Sequence, residues 1–252
     1  MSNATKPTEI GHNKTGIATS PIGYTRLSAL GEGEPTPETS ALYSMRLSFS
    51  GEADPVGTMP PPMKLKGLAK DMMARMKGEQ ATVLLDKLGE RLAYERTGVR
   101  LYDALLVKLA ASHTHDPTVT AEALREIRDD ELRHAGILAS ALESLGADPT
   151  AVTPCADVIG VQGLGFMAVL TDPKTTLTQC LGTMLSAELA DLAAWELLIE
   201  LTDQLGHAEL AASLRECAQE ELRHESQVRA WVRTAVLGQA DDAADPESST
   251  TH

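Results

Sequence analysis

The feature that most restricts this chain is a tetrapeptide that occurs twice, Glu131-Leu-Arg-His134 and Glu221-Leu-Arg-His224, in the settings RDDELRH and QEELRHE. A Glu and a His three residues apart lie about 60° apart around a helix and one turn apart along it, so both side chains can point inward and reach one ion. A fold that uses the repeat must therefore supply two equivalent helices. The same spacing in Glu9-Ile-Gly-His12 falls in a Gly-containing tail without helical periodicity and has no such use.

Hydrophobic periodicity supplies the helices. Val83, Leu84, Leu88, Leu92, Val99, Leu101, Leu105 and Leu109 recur at helical spacing and predict a first helix over 79–111. After the short connection HTHDPT, Thr120 is placed to cap a second helix that stops near Gly146. Residues 147–174 contain Pro149, Pro154, Gly160, Gly163, Gly165 and Pro173, are too long for a hairpin loop, and read as a crossover. A third helix is expected over 175–205 and a fourth, after Gly206, over 208–237. Short, long and short connections predict an all-α four-helix bundle, two antiparallel helix hairpins joined by a long crossover, with the repeated motif on helices 2 and 4.

Outside 79–237, residues 1–62 are rich in Gly, Pro, Ser and Thr and read as a flexible or irregular extension. Residues 63–78, MKLKGLAKDMMARMKG, predict a short amphipathic helix that packs on the bundle or meets a partner, and 238–252 read as an acidic disordered tail.

Each remaining helix offers one acid in apolar surroundings, Glu95 in LAYERTGVRLYDALL and Glu188 in LSAELADLAAWELL. Aligned on these acids, Tyr102 matches Trp195 seven residues on and Asp103 matches Glu196 eight on, so helices 1 and 3 resemble copies. Glu90 and Glu196 are rival acids without that paired register. Glu95, Glu131, Glu188 and Glu221 with His134 and His224 thus converge on the middle of the bundle. Four buried carboxylates are prohibitive unpaired, and two divalent cations balance them, with neutral imidazoles completing the shells. An oxygen-rich set with one His per ion suits two iron ions, or manganese, better than a closed structural zinc.

Composition narrows the function. There are 22 basic and 36 acidic residues, a formal charge of −14, so no basic patch is expected to grip nucleic acid. Cys155, Cys180 and Cys217 show no CxxC spacing and fit reduced thiols in a cytoplasm rather than a disulfide framework or a zinc ribbon. The first residues lack the apolar run of a signal peptide and no uncharged membrane-spanning run is apparent, so a cytoplasmic protein with no membrane partner is expected.

In these six residues the chain resembles the ferritin-like di-iron carboxylate superfamily, which includes ferritins, bacterioferritins, rubrerythrins and manganese catalases. Its pattern is a Glu, an ExxH, a Glu and an ExxH on successive bundle helices. The resemblance spans roughly 79–237. It implies that Glu95, Glu131, His134, Glu188, Glu221 and His224 are the metal ligands and the catalytic set, Glu131 and Glu221 bridging the ions and Glu95 and Glu188 terminal. A homo-oligomer is expected. Unlike rubrerythrins, this chain has no cysteine set for a rubredoxin domain, so an external electron donor is required. Rubrerythrins carry a further Glu where this chain has Asp191, which is then an extra ligand, a partner of a ligand or a solvated residue. Tyr102 falls where bacterioferritins and rubrerythrins place a tyrosine near the metals, to hydrogen-bond a ligand, relay electrons or pack in the core. Core packing is the favoured reading of Trp195.

The leading functional expectation is a dinuclear iron oxidoreductase that reacts with dioxygen or hydrogen peroxide, of ferroxidase or peroxidase type and suited to oxidative stress. Alternatives are a manganese catalase, a di-iron oxygenase, an iron-storage or metal-sequestering protein, and a partner-binding protein whose bundle a metal merely stabilises; Gly98, three residues after Glu95, reads equally as substrate space for an oxygenase or as a helix-packing contact.

Overall fold

The computed structural model describes residues 37–60, 78–112 and 117–244. The predicted helix at 63–78 lies, apart from Gly78, outside them, as do His12, His113, His115 and the end of the acidic tail. Six helices occur among the described residues and no strand. They are α1 (Pro37–Glu52), α2 (Gly78–Ala111), α3 (Ala121–Ser144), α4 (Pro154–Thr171), α5 (Leu177–Gln204) and α6 (Ala208–Ala244). The chain divides into two compact units, Met1–Pro55 and Val56–His252. The first contains α1, a departure from the irregular reading of 1–62. Pro37 at its first position has the fixed φ that a helix start requires. Along it Leu42, Tyr43, Met45, Leu47 and Phe49 are all exposed, so no apolar periodicity announced it.

In the second unit the local signals act as the sequence suggests. Thr120 accepts from the Ala123 amide at 3.1 Å and opens α3. Thr176 and Gln179 form a reciprocal capping box that opens α5. Gly146 and Gly206 adopt positive φ, 82° and 81°, directly after α3 and α5. In both cases the glycine amide and the one after it return to carbonyls of the last turn, Gly146 to Glu143 and Ala147 to Leu142, Gly206 to Asp203 and His207 to Thr202.

Residue pairings fix the directions. Lys108 meets Thr175 while Arg91 meets Asp191, so α2 and α5 are antiparallel. His134 meets Glu220 while His224 meets Asp130, so α3 and α6 are antiparallel too. The result is the predicted all-α arrangement of two antiparallel helix hairpins joined by a crossover.

That crossover is a helix, which the sequence reading left as a Pro- and Gly-containing connection. α4 runs alongside α2 in the same direction, Thr153 facing Asp86 at one end and Asp172 facing Lys108 at the other. Its buried residues Ala156, Gly163 and Leu170 recur every seventh position, a single narrow stripe. Of the crossover glycines, Gly163 is a contact point, while Gly160 and Gly165 face open space. A Cβ on Gly163 would come within 2.8 Å of the Thr97 methyl, and one on Gly89 within 2.7 Å of the Thr153 methyl. The outer face exposes Val158, Val161 and Leu164, and by length and composition α4 is long and apolar enough to cross a membrane. Asp157 lies within it, so it is not an uncharged run of the kind the sequence was read for. α6 also outruns its predicted end at 237. GQADDAA contains no proline, and the next proline is Pro246.

The core has two apolar layers. One contains Leu84, Leu88, Leu138, Leu142, Trp195, Leu198 and Leu214, the other Leu101, Leu105, Leu124, Leu181, Met184, Val228 and Trp231. On every bundle helix a polar residue named above falls between them: Glu95 on α2, Glu131 and His134 on α3, Glu188 on α5, Glu221 and His224 on α6. Replacing Gly163 by Val should push α4 from α2 and destabilise the protein by about 1–3 kcal/mol. Thermal unfolding would show this as a lowered midpoint, whereas Gly160→Ala, which meets nothing within 4 Å and gains helix propensity, should not lower it.

Candidate metal centre

The six predicted residues come together in the polar layer, and all are buried: Glu95, Glu131, His134, Glu188, Glu221 and His224 are 0–4% exposed. They form two groups whose ligand atoms lie within 4.8 Å of one another, Glu95, His134 and Glu221 in one and Glu131, Glu188, Glu221 and His224 in the other. Glu221, which the resemblance makes one of two bridging carboxylates, belongs to both groups. Glu131, the other expected bridge, belongs to the second group alone.

Gly98 explains where Glu131 goes. A Cβ at that position would lie 2.8 Å from the Glu131 carboxyl carbon, so the absent side chain is the seat of this carboxylate. Of the two readings of Gly98, substrate space or a packing contact, the structure shows close contact: the room is filled by Glu131 of α3.

Both histidines turn Nδ1 inward. His134 Nδ1 lies 2.5 Å from Glu221 Oε1 and 3.6 Å from Glu95 Oε2, and His224 Nδ1 lies 3.1 Å from Glu221 Oε2 and 3.9 Å from Glu131 Oε1. Their Nε2 atoms face outward to carboxylates of the opposite helix, His134 to Glu220 at 2.8 Å and His224 to Asp130 at 3.1 Å. With Nε2–H donated outward, the Nδ1 lone pair is free for a cation. Arg133 donates to Asp130 at 2.7 Å and to Glu220 at 2.5 Å, tying the two outer carboxylates together. Sequence reasoning did not single out Asp130, Glu220 or Arg133. The signal was present, since each motif copy has an acid directly before its Glu and an Arg directly before its His.

The other predicted residues sort clearly. Tyr102 is fully buried, and its hydroxyl donates to Glu188 Oε1 at 2.6 Å. Burial and the neighbouring Glu188 charge keep that phenol protonated. Trp195 packs in the core as expected, with its ring edge-on to His134 at 5.7 Å. Asp191 is not solvated: it is 2% exposed and paired with Arg91, a residue the sequence reading passed over. The rival acid Glu196 is exposed, and Glu90 is half-buried and paired with Lys87.

The donor set fits cations. Both oxygens of Glu95 and Oε2 of Glu188 are buried without a hydrogen-bond partner among the described residues, and Nδ1 of His134 and Oε1 of Glu221 face only each other at that range, at 2.5 Å. Such atoms carry a large desolvation cost unless something electropositive meets them. Protons fill that role in the metal-free protein. Burial, then the Glu221 charge, pushes Glu188 up to about 8, and burial with the surrounding carboxylates raises Glu131 well above the usual range. Burial alone would lower His134, but the adjacent Glu221 and Glu95 override it and push it up to about 10. Burial works against the Glu221 charge as well, yet the two histidines beside it hold Glu221 at about 2.

No family model and no curated protein matches this chain. Among solved structures it is similar to the crystal structure of ferritin like, diiron-carboxylate proteins from Bacillus anthracis str. Ames, at 20% identity, over 61% of this chain and 97% of that one, with a TM-score of 0.49.

Two predictions follow from the site's geometry and charge. A methyl group at Gly98→Ala displaces Glu131 and should weaken divalent-metal affinity by about 10–100-fold, read by titration. The second concerns pH in the metal-free protein. Raised folded-state values for Glu188, Glu131 and His134 give stability that is complete below their ordinary values and is lost as pH rises through about 8 for Glu188 and about 10 for His134. The depressed Glu221 acts oppositely, its contribution disappearing only as pH falls from the ordinary carboxyl range toward about 2. The metal-free melting temperature should therefore fall between about pH 5 and about pH 9, while metal affinity rises as the competing protons leave.

Proposed function

We propose that this chain is a dinuclear metal oxidoreductase holding two iron ions, with manganese as the other candidate, and reacting with dioxygen or hydrogen peroxide. The observation that supports this reading is the pair of ligand groups joined by Glu221, each with an inward imidazole Nδ1 and with buried oxygens left unpartnered. Glu95, His134 and Glu221 would hold one ion, and Glu131, Glu188, Glu221 and His224 the other. Two adjacent redox-active ions would supply one electron each to an oxidant, and an external donor would restore them.

The protein's own groups have definite tasks in such a centre. Asp130 and Glu220 fix the imidazole orientations, and Tyr102 fixes Glu188 and offers it a proton at 2.6 Å. The apolar layers on either side keep bulk water from the carboxylates and strengthen every charge interaction between them. In this reading the protein works in a reducing cytoplasm, in keeping with the three free thiols, as a homo-oligomer without nucleic-acid or membrane partners.

Anaerobic reconstitution followed by elemental analysis should give two iron or manganese ions per chain, and the loaded protein should consume dioxygen or peroxide. Replacing His134 or His224 by Ala should lower occupancy and turnover together by about tenfold or more, whereas exposed Glu196→Gln should change neither. One ion or none per wild-type chain refutes the reading.

A further inference from the structure

A fifth carboxylate lies beside the four glutamates, with one buried cation to match it. Asp191 follows Glu188 by one turn on α5, and Arg91 precedes Glu95 by one turn on α2. Arg91 is 1% exposed, and its contacts hold it in place. Nη1 donates to the Asp191 carbonyl at 3.0 Å, Nη2 lies 2.9 Å from Asp191 Oδ1, and Nε lies 3.6 Å from Glu95 Oε1. The guanidinium carbon sits 4.4 Å from the centroid of the Tyr94 ring, whose hydroxyl donates to the Ala187 carbonyl at 2.7 Å. Asp191 itself joins neither ligand group.

Charge accounting gives this arrangement a meaning. Five buried carboxylates against one guanidinium leave four negative charges, the number that two divalent ions cancel. Without Arg91 the same ions would face a surplus of one. An arginine suits the position because its charge is permanent and its planar fork meets the Asp191 carbonyl and carboxylate together.

We propose that Arg91 is a resident cation of the metal centre: a positioning residue that neutralises Asp191, steadies Glu95 and sets the negative charge of the site to that of two divalent ions, with Asp191 serving as its anchor rather than as a ligand. This rests on the dinuclear reading above. It also makes the halves of the site unequal. The ion held by Glu95, His134 and Glu221 has three ligands and a neighbouring positive charge, whereas its companion has four ligands. The four-ligand position fills first, and the three-ligand position is the one that responds to charge at 91 and 191.

The test is calorimetric titration of the full metal-free chain with Mn(II), comparing wild type, Arg91→Gln, Asp191→Asn and the double variant, with thermal unfolding of each metal-free form as a second readout. Arg91→Gln adds one net negative charge and should tighten the second binding step by about tenfold or more, while lowering metal-free stability because Asp191 is left unpaired. Asp191→Asn should weaken that step by a similar factor and also lower stability. The double variant restores the net charge and should return both readouts to near wild type. A merely structural arginine would instead weaken binding when replaced, and the double variant would not recover. Either of those results overturns the proposal, and so does a second step that ignores both substitutions. Should Arg91→Gln fail to fold, weaker binding by Asp191→Asn than by the double variant still supports the proposal, and equal binding refutes it. Wild type binding fewer than two Mn(II) ions refutes the dinuclear reading and this inference with it, whereas two ions with charge-insensitive affinities refute this inference alone.

Discussion

Like charges crowded between two apolar layers are the constraint on which the rest of this structure depends. A carboxylate in such surroundings must be neutralised by a proton, a cation or hydrogen bonds. The protein uses all three. Arg91 answers Asp191, Tyr102 answers one oxygen of Glu188, and the imidazoles answer Glu221. What these leave without a hydrogen bond are both oxygens of Glu95 and Oε2 of Glu188, atoms that a metal pair would meet. Stability and function are thus coupled through the same atoms, since any group that improves the metal-free interior by covering an oxygen removes a ligand.

The outer surface of the site is built by a different rule. Asp130, Arg133 and Glu220 are partly exposed, so water screens them and no single pair among them is strong. Their contribution is geometric. Each imidazole is oriented from the helix opposite its own, and one guanidinium spans both orienting carboxylates.

The bundle and all six central residues were legible because a duplicated sequence repeats its signal. Two copies of ELRH, and the register that pairs Glu95 with Glu188, single out the same positions from two directions. Arg91 has no such echo. Aligned on the helix acids, its counterpart on α5 is Met184, so repetition could not reveal it and only packing shows its partner. The crossover helix was hidden for another reason. Its contact stripe is made of Ala156, Gly163 and Leu170, and glycine in a sequence signals a turn unless something is known to approach it. Gly98 was noticed for its lack of a side chain, but sequence does not say which neighbour takes the space, and here it is Glu131.

Each apolar layer draws residues from α2, α3, α5 and α6 together. Neither hairpin therefore owns a core. Taken alone, α2 and α3 would leave Leu84, Leu88, Leu138 and Leu142 open to water, and α5 and α6 would do the same with Trp195, Leu198 and Leu214. A single hairpin can bury these surfaces only against a second one, so the repeated sequence encodes two halves of one folding unit rather than two units. The doubling visible along the chain is indivisible in space: an isolated half would keep its motif and lose the interior that gives the motif its chemistry.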